Sequence, residues 1–272
     1  MGRSSKDKRD IYYRLAKEGG WRARSAFKLL QLDQRFQLFQ GVHRAVDLCA
    51  APGSWSQVLS RHLSLGTGGT GGNWGELGEM RVPRWEAGGT GSPTLEGLGV
   101  LVWGAHSLGT GRTGGLSWGD WESWSGALNI TTHVLKKGGT FVAKIFRGKD
   151  VTLLYSQLRL FFPDVTCAKP RSSRNSSIEA FVVCRGYRPP EGFVPTMDNP
   201  LLDPDAGLAL SQLSGPSRVI VPFVACGDLS AYDPDRTYPL QLDPATPYTY
   251  VPPPAPPIAP PYARACQLRR GG

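Results

Sequence analysis

The sequence predicts an α/β fold built on a doubly wound sheet, and three observations carry that reading. Val46-Asp-Leu-Cys-Ala is a short buried-strand pattern; Ala-Pro-Gly breaks it, and a helical stretch resumes from Ser54 to Leu63. Thr140 to Phe146 reads as a strong strand, and Val151 to Phe161 follows with apolar residues at helical spacing (Leu153, Leu154, Leu158, Phe161). Val165 to Ala168 and Ile178 to Cys184 then read as two strands around a polar loop, Lys169 to Ser177. Strand–helix alternation ending in a hairpin implies a sheet with helices on its faces.

The remaining elements follow in order. Residues 3–24 are basic with interleaved aromatics, Tyr12, Tyr13 and Trp21. Such a mix either tracks a phosphate backbone and stacks on bases or forms a plain basic helix. Ser25 reads as the N-cap of a helix running to about Phe39, with Ala26, Leu29, Leu30, Leu32 and Phe36 on its buried face. Leu128 to Leu135 reads as a further helix, stopped by Lys136-Lys-Gly-Gly139. Residues 188–272 hold 18 of the 23 prolines and form a Pro-rich C-terminal extension. Its Pro252-Pro-Pro-Ala-Pro-Pro run suits polyproline II, whereas Val219 to Ala225 suits a strand that docks back on the domain.

Bulk properties narrow the class. The chain has 272 residues, is 40% hydrophobic and carries a formal charge of +9. That charge is concentrated: residues 1–62 hold 12 Lys/Arg against 5 Asp/Glu, and residues 127–187 hold 10 against 3. A polyanion bound across both segments is the natural partner, nucleic acid being the commonest, against the alternative of a solvated basic surface. Five cysteines without CxxC spacing favour reduced thiols and an intracellular protein. The charged N-terminus lacks the apolar run of a secretory signal, and no stretch is long and apolar enough to span a membrane. The four histidines show no metal spacing, so no metal site is expected.

Residues 66–126 stand apart. They hold 19 Gly and six of the eight Trp but no Lys and no Tyr, with no sustained apolar period. Flexible linkers are not Trp-rich, so this aberrant Gly/Trp-rich segment reads as intron-derived or frame-shifted sequence; a flexible Gly-rich insertion is the competing reading. The expected organisation is therefore residues 1–65, a basic N-terminal region with the first half of the domain; 66–126, the aberrant segment; 127–187, the second half; and 188–272, the extension.

Three short segments carry chemistry. Asp47-Leu-Cys-Ala-Ala-Pro52-Gly53-Ser-Trp55 joins a strand to a helix, which puts backbone N–H groups and a positive helix end at the carboxyl edge of the sheet. Gly53, after Pro52, lets a ligand approach the backbone. Asp47 can accept hydrogen bonds from a cationic or amino-bearing ligand, and Trp55 could cover it. Lys144 lies in an apolar strand, where burial and a nearby cation would make it a general base; a snorkelling edge lysine is the alternative. Glu179 is likewise a charge amid apolar strand residues and could pair with Lys144 if their strands are neighbours. Lys28 within its helix, and Arg171 and Arg174 in the polar loop, read either as functional groups or as plain surface charges.

At these residues the chain resembles the FtsJ/RrmJ-type RNA 2′-O-ribose methyltransferases. The resemblance covers residues 1–65 and 127–187. Trp21-Arg22-Ala-Arg24-Ser-Ala-Phe-Lys28, Ala143-Lys-Ile-Phe-Arg-Gly-Lys-Asp and Lys169-Pro-Arg-Ser-Ser-Arg-Asn-Ser-Ser-Ile-Glu179 look like the eukaryotic cytoplasmic branch that acts on the tRNA anticodon loop. The resemblance implies a Rossmann-like fold and S-adenosylmethionine as donor, with Gly53 and Trp55 in its site. It implies a Lys-Asp-Lys-Glu catalytic set, of which Lys28, Lys144 and Glu179 are present. Lys144 would take the ribose 2′-hydroxyl proton while Lys28 and Glu179 orient it, and Arg22, Arg24, Arg171 and Arg174 would contact RNA. The implied substrate is tRNA at positions 32 and 34, selected by separate partner proteins, in the cytoplasm and also the nucleus.

The chain also departs from that family. The family's acid for the donor ribose and its catalytic aspartate both fall in residues 66–126. Val100-Leu-Val-Trp-Gly-Ala-His lies at about the right distance before Lys144 but carries no aspartate, and Glu76 or Glu79 match the ribose acid by spacing alone. Two other readings follow: a catalytically inactive RNA-binding isoform or defective gene model, and a scaffold whose Pro-rich tail binds partner domains.

Overall fold

A sheet of six strands in the order β1-β2-β3-β5-β4-β6 organises the molecule. The structure is a computed structural model that describes residues 10–48, 53–64, 98–103, 118–148, 151–195, 219–242, 244–245, 247–250 and 268. The elements in chain order are α1 (Ile11–Glu18), α2 (Ala26–Phe36), β1 (Ala45–Leu48), α3 (Ser54–Ser64), β2 (Leu98–Trp103), α4 (Trp118–Val134), β3 (Leu135–Phe146), α5 (Val151–Phe161), β4 (Asp164–Pro170), β5 (Glu179–Arg185) and β6 (Phe223–Cys226).

Strands β1, β2 and β3 run parallel, with Val46 opposite Leu101 and Leu101 opposite Phe141. Strand β5 pairs antiparallel with both β3 and β4, closing the expected hairpin. Strand β6 then adds parallel to the free edge of β4, with Cys167 opposite Phe223. The result is a mixed sheet, and the docked strand foreseen in residues 219–225 is real, shifted to Phe223–Cys226.

Side-chain alternation sorts the sheet into two cores. Phe141, Ala143 and Ile145 of β3, with Ala180, Val182 and Cys184 of β5, face Ala127 and Leu128 of α4 and Leu154 and Leu158 of α5. Val142 of β3, with Phe181 and Val183 of β5, faces Ala26, Leu29 and Leu32 of α2 and Trp55, Val58 and Leu59 of α3. Lys144 lies on this second face by the same alternation. Each core residue removed from water contributes about 1.5–3 kcal/mol.

Several boundaries differ from expectation. Ser25 has helical dihedrals and makes no side-chain cap; its hydroxyl donates instead to Ser54 Oγ at 2.8 Å, tying α2 to α3. Helix α2 ends at Phe36 rather than Phe39, because Gln37 turns left-handed (φ 52°). Helix α4 begins at Trp118, ten residues before the periodic apolar pattern, and β3 begins at Leu135. Lys136-Lys-Gly-Gly139 is thus a strand segment and not a helix stop. Gly138 takes a positive φ of 80°, and the β2 register shifts between Leu98 and Val100. Residues 66–126 therefore include a strand and the first turns of a helix, despite a composition that shows neither. No helix among the described residues is long and apolar enough to cross a membrane, and no cluster among them could hold a metal ion.

Candidate active site

Lys28, Lys144 and Glu179 come from three elements and meet on one face of the sheet. Lys28 lies in the first turn of α2, which packs over β5 through Leu29 and Leu32. Lys144 pairs across the ladder with Phe181, two residues from Glu179, so both charged side chains leave the same face. Lys28 Nζ donates to both Glu179 oxygens, at 2.7 Å to Oε1 and 2.6 Å to Oε2. Lys144 Nζ lies 3.2 Å from Oε1. The expected pairing of strand lysine and strand glutamate is present, with Lys28 as the tighter partner.

Burial sets the electrostatics. Burial lowers the Lys28 pKa to about 8, against the attraction of Glu179. Burial alone would raise Glu179; the Lys28 and Lys144 charges and hydrogen bonds from Lys28 and Ser173 outweigh it and hold the carboxyl at about 2. Glu179 is therefore a permanent anion flanked by two amines. Such a group can orient a reacting hydroxyl and stabilise a cation formed next to it.

Sequence reasoning missed the residues that hold Glu179 from below. Ser173 is fully buried and donates to Oε2 at 2.9 Å. Lys169 Nζ donates to the Ser177 and Glu179 carbonyls, at 2.6 Å each, which fixes the start of β5. Gln31 Oε1 accepts from the backbone N–H and hydroxyl of Ser172. A Ser/Arg-rich loop reads as solvated, and only its attachment directly before Glu179 hinted otherwise.

Two strands away on the same face lies the β1–α3 corner, where Asp47 stands level with Val142 through Val102 of β2. Gly53 has φ 89°, a left-handed backbone that favours glycine, and a Cβ there would meet the movable guanidinium of Arg22 at 2.7 Å. Asp47 ends β1 and accepts from Ser56 Oγ at 2.7 Å, yet burial raises its pKa to about 6 despite those hydrogen bonds. A buried carboxylate whose partner is a hydroxyl is suited to a ligand cation. Pro52 lies outside the described residues, as do Glu76 and Glu79. Trp55 does not cover the loop: it is 5% exposed, packs on Phe181 at 5.7 Å, and donates its indole N–H to the Ser25 carbonyl at 3.0 Å. A large apolar side chain in a helix facing the sheet gains more from the core than from solvent.

The four arginines separate. Arg22 is exposed, its backbone N–H held by Gln57 Oε1 at 3.0 Å. Arg24 and Arg174 both pair with Asp10, the N-cap of α1, and Arg24 also donates to the Ser172 carbonyl at 2.6 Å. Arg171 donates to the Ala231 carbonyl at 3.0 Å. Three of the four expected RNA contacts thus have protein partners, and they brace the loop in front of Glu179.

The model for FtsJ-like methyltransferases matches residues 21–81 and 124–187, which include both ends of this site. The chain is 58% identical over 285 residues to the tRNA (cytidine(32)/guanosine(34)-2′-O)-methyltransferase of Mus musculus, covering 100% of this chain and 88% of that protein. The chain belongs to the FtsJ-like methyltransferase family. The same-named protein of Homo sapiens is 57% identical, over 100% of this chain and 86% of that one. That of Schizosaccharomyces pombe is 48% identical, over 99% and 98%. The FtsJ-like match omits residues 82–123 but includes residues 66–81, so the break is narrower than composition suggests. In this FtsJ-like chain Trp103 pairs with Ala143 at the end of β2, and the sequence continues Gly-Ala-His without an acid. Among the described residues Lys144 pairs with Glu179 and with no other carboxylate.

Proposed function

We propose that this chain is a tRNA 2′-O-ribose methyltransferase that uses S-adenosylmethionine to modify anticodon-loop positions 32 and 34. The observation that carries the reading is the Lys28–Glu179–Lys144 cluster, found in a chain 58% identical to a protein of that name. The sheet is read as the Rossmann-like arrangement of such enzymes. Gly53 and the start of α3 would hold the donor, with Asp47 toward its amino group. The bound donor supplies a methyl group on a positively charged sulfur leaving group.

The chain's own residues supply the acceptor chemistry. Glu179 is occupied by Lys28 through two short bonds and by Ser173 through a third. Lys144 has the single longer contact, so its amine is the one available to a ribose oxygen, and once it has released its own proton it takes the 2′-hydroxyl proton. Lys28 keeps Glu179 neutralised, and Glu179 holds Lys144 in place, so alignment does much of the work. Separate partner proteins would select the position, and the enzyme would work in the cytoplasm and also the nucleus.

One observation favours a second reading. No aspartate stands where β2 leaves Trp103, and residues 82–123 lie outside the family match. On that reading the segment is intron-derived, and this chain is an inactive RNA-binding isoform of an active enzyme. Calorimetry of S-adenosylmethionine binding and a methyl-transfer assay on tRNA separate the two. Binding with transfer supports the enzyme; tRNA binding without either supports the isoform.

A further inference from the structure

We propose that residues 219–238 form a clasp that positions Glu179, and that Asp235 is its positioning residue, acting through the β4–β5 loop. The inference rests on the methyltransferase reading only in treating Glu179 as catalytic. The clasp lies beyond the family match, which ends at residue 187.

The contacts form an unbroken chain. Strand β6 extends the sheet beside β4, and the Arg171 N–H donates to the Cys226 carbonyl at 2.8 Å just where β4 ends. The chain then turns back along the loop. Ala231 accepts from the Arg171 guanidinium at 3.0 Å. Asp235 accepts from the Asn175 N–H at 2.6 Å and from the Ser176 hydroxyl at 2.7 Å. Asp235 is itself held, its N–H donating to Asp233 Oδ1 at 2.9 Å, while the Tyr232 carbonyl accepts from Tyr12 of α1 at 3.0 Å.

The physical need is clear from the loop's composition. Arg171-Ser-Ser-Arg-Asn-Ser-Ser-Ile178 is polar and has many accessible conformations when unfolded, so ordering it costs chain entropy that its contacts must offset. The folded loop buries Ser173 with its hydroxyl on Glu179 Oε2. Gln31 and Lys169 fix the two ends of the loop, at Ser172 and Ser177. Its middle, Asn175 and Ser176, is bonded to Asp235, and a carboxylate accepting a backbone N–H makes one of the stronger hydrogen bonds. Without that anchor the middle of the loop is released, and Ser173 is held to Glu179 less firmly through Ser172 and Arg174 alone.

A double-mutant cycle tests this on the full chain, with kcat and KM for tRNA measured for Asp235→Ala, Ser173→Ala and the double variant, normalised to the folded fraction. We expect Asp235→Ala to lower kcat about fivefold and Ser173→Ala about tenfold, with the double variant near tenfold because one path is cut twice. KM for tRNA should stay within about twofold. Hydrogen exchange, read without any turnover, should show Asn175 and Ser176 losing protection in Asp235→Ala. Additive effects near fiftyfold, a rise in KM with kcat unchanged, or unaltered exchange would overturn the clasp. If the wild-type chain transfers no methyl group, the functional reading fails, and the exchange result alone decides the clasp.

Discussion

Glu179 and Asp47 are carboxylates on one face of the sheet, the first buried and the second half-buried, and they are treated oppositely. Glu179 receives two lysines and a serine from α2, β3 and the β4–β5 loop, and its pKa falls to about 2. Asp47 receives Ser56 alone, and its pKa rises to about 6. Strand β5 around Glu179 is buried at six of its seven positions, whereas β1 around Asp47 is half-buried throughout and lies at the edge of the sheet. The comparison teaches that the chain itself satisfies Glu179, whereas Asp47 has only a hydroxyl partner, which on the proposed function leaves it for the donor.

The largest effect should come from the acceptor end. Lys144→Ala should reduce methyl transfer to tRNA about 100- to 10,000-fold, the usual range for a general base. Calorimetric affinity for S-adenosylmethionine should change little, because on the proposed function Lys144 serves the acceptor hydroxyl while Gly53 and Asp47 hold the donor. A parallel fall in donor affinity would erase the distinction between the two ends.

Glu179→Gln sharpens the same contrast in stability. It keeps the shape but leaves Lys28 and Lys144 as adjacent amines without a counter-charge, and breaking such a buried pair costs about 3–5 kcal/mol. Asp47→Asn removes a carboxylate that burial already disfavours, so denaturant unfolding should show it neutral or stabilising. Equal destabilisation by both variants would contradict the opposite pKa shifts.

The pH dependence of stability follows from these shifts. Glu179 has its folded pKa depressed to about 2, so its stabilisation is present above the ordinary value near 4.5 and is lost as pH falls toward 2. Lys28 titrates near 8 when folded but near 10.5 when unfolded, so the unfolded chain holds more protons between those values and stability rises with pH there. Each effect is on the order of a few kcal/mol. Urea titrations across both windows check the signs, and Lys28→Met should abolish the alkaline rise.

Legibility in the sequence followed locality. The β4–β5 hairpin, α5 and the end of β3 were readable because each has its own apolar period, and Lys144 and Glu179 were conspicuous as charges inside such runs. Lys28 came from the resemblance, since a lysine in an amphipathic helix has no distinguishing pattern. Asp10, Ser173 and Asp235 were invisible. Their partners lie 164 residues away for Asp10 and Arg174 and 60 away for Asp235 and Asn175, and no local period encodes such contacts. For Trp55 the sequence does not show which way the indole turns; the helix that follows Gly53 faces it to the sheet, and only the packing of α3 reveals that. Strand β2 and the start of α4 were missed because a Gly/Trp-rich composition hides a six-residue strand paired on both sides.

The smallest effect isolates the donor end. A ligand ammonium prefers the ionised form of Asp47, and the folded carboxyl keeps its proton up to about pH 6. Affinity for S-adenosylmethionine should therefore be constant from that value to about pH 7, where the donor's amino group is still charged, and fall about tenfold per unit below it. In Asp47→Asn the affinity should be lower at neutral pH and flat from about pH 5 to 7, below the ordinary range of the donor's own amino group. Methyl-transfer rate at saturating donor should keep its own pH profile, which belongs to the lysine–glutamate cluster. If affinity instead followed the same profile as rate, the two carboxylates would be acting as one site, and the division of the face into a donor end and an acceptor end would fail.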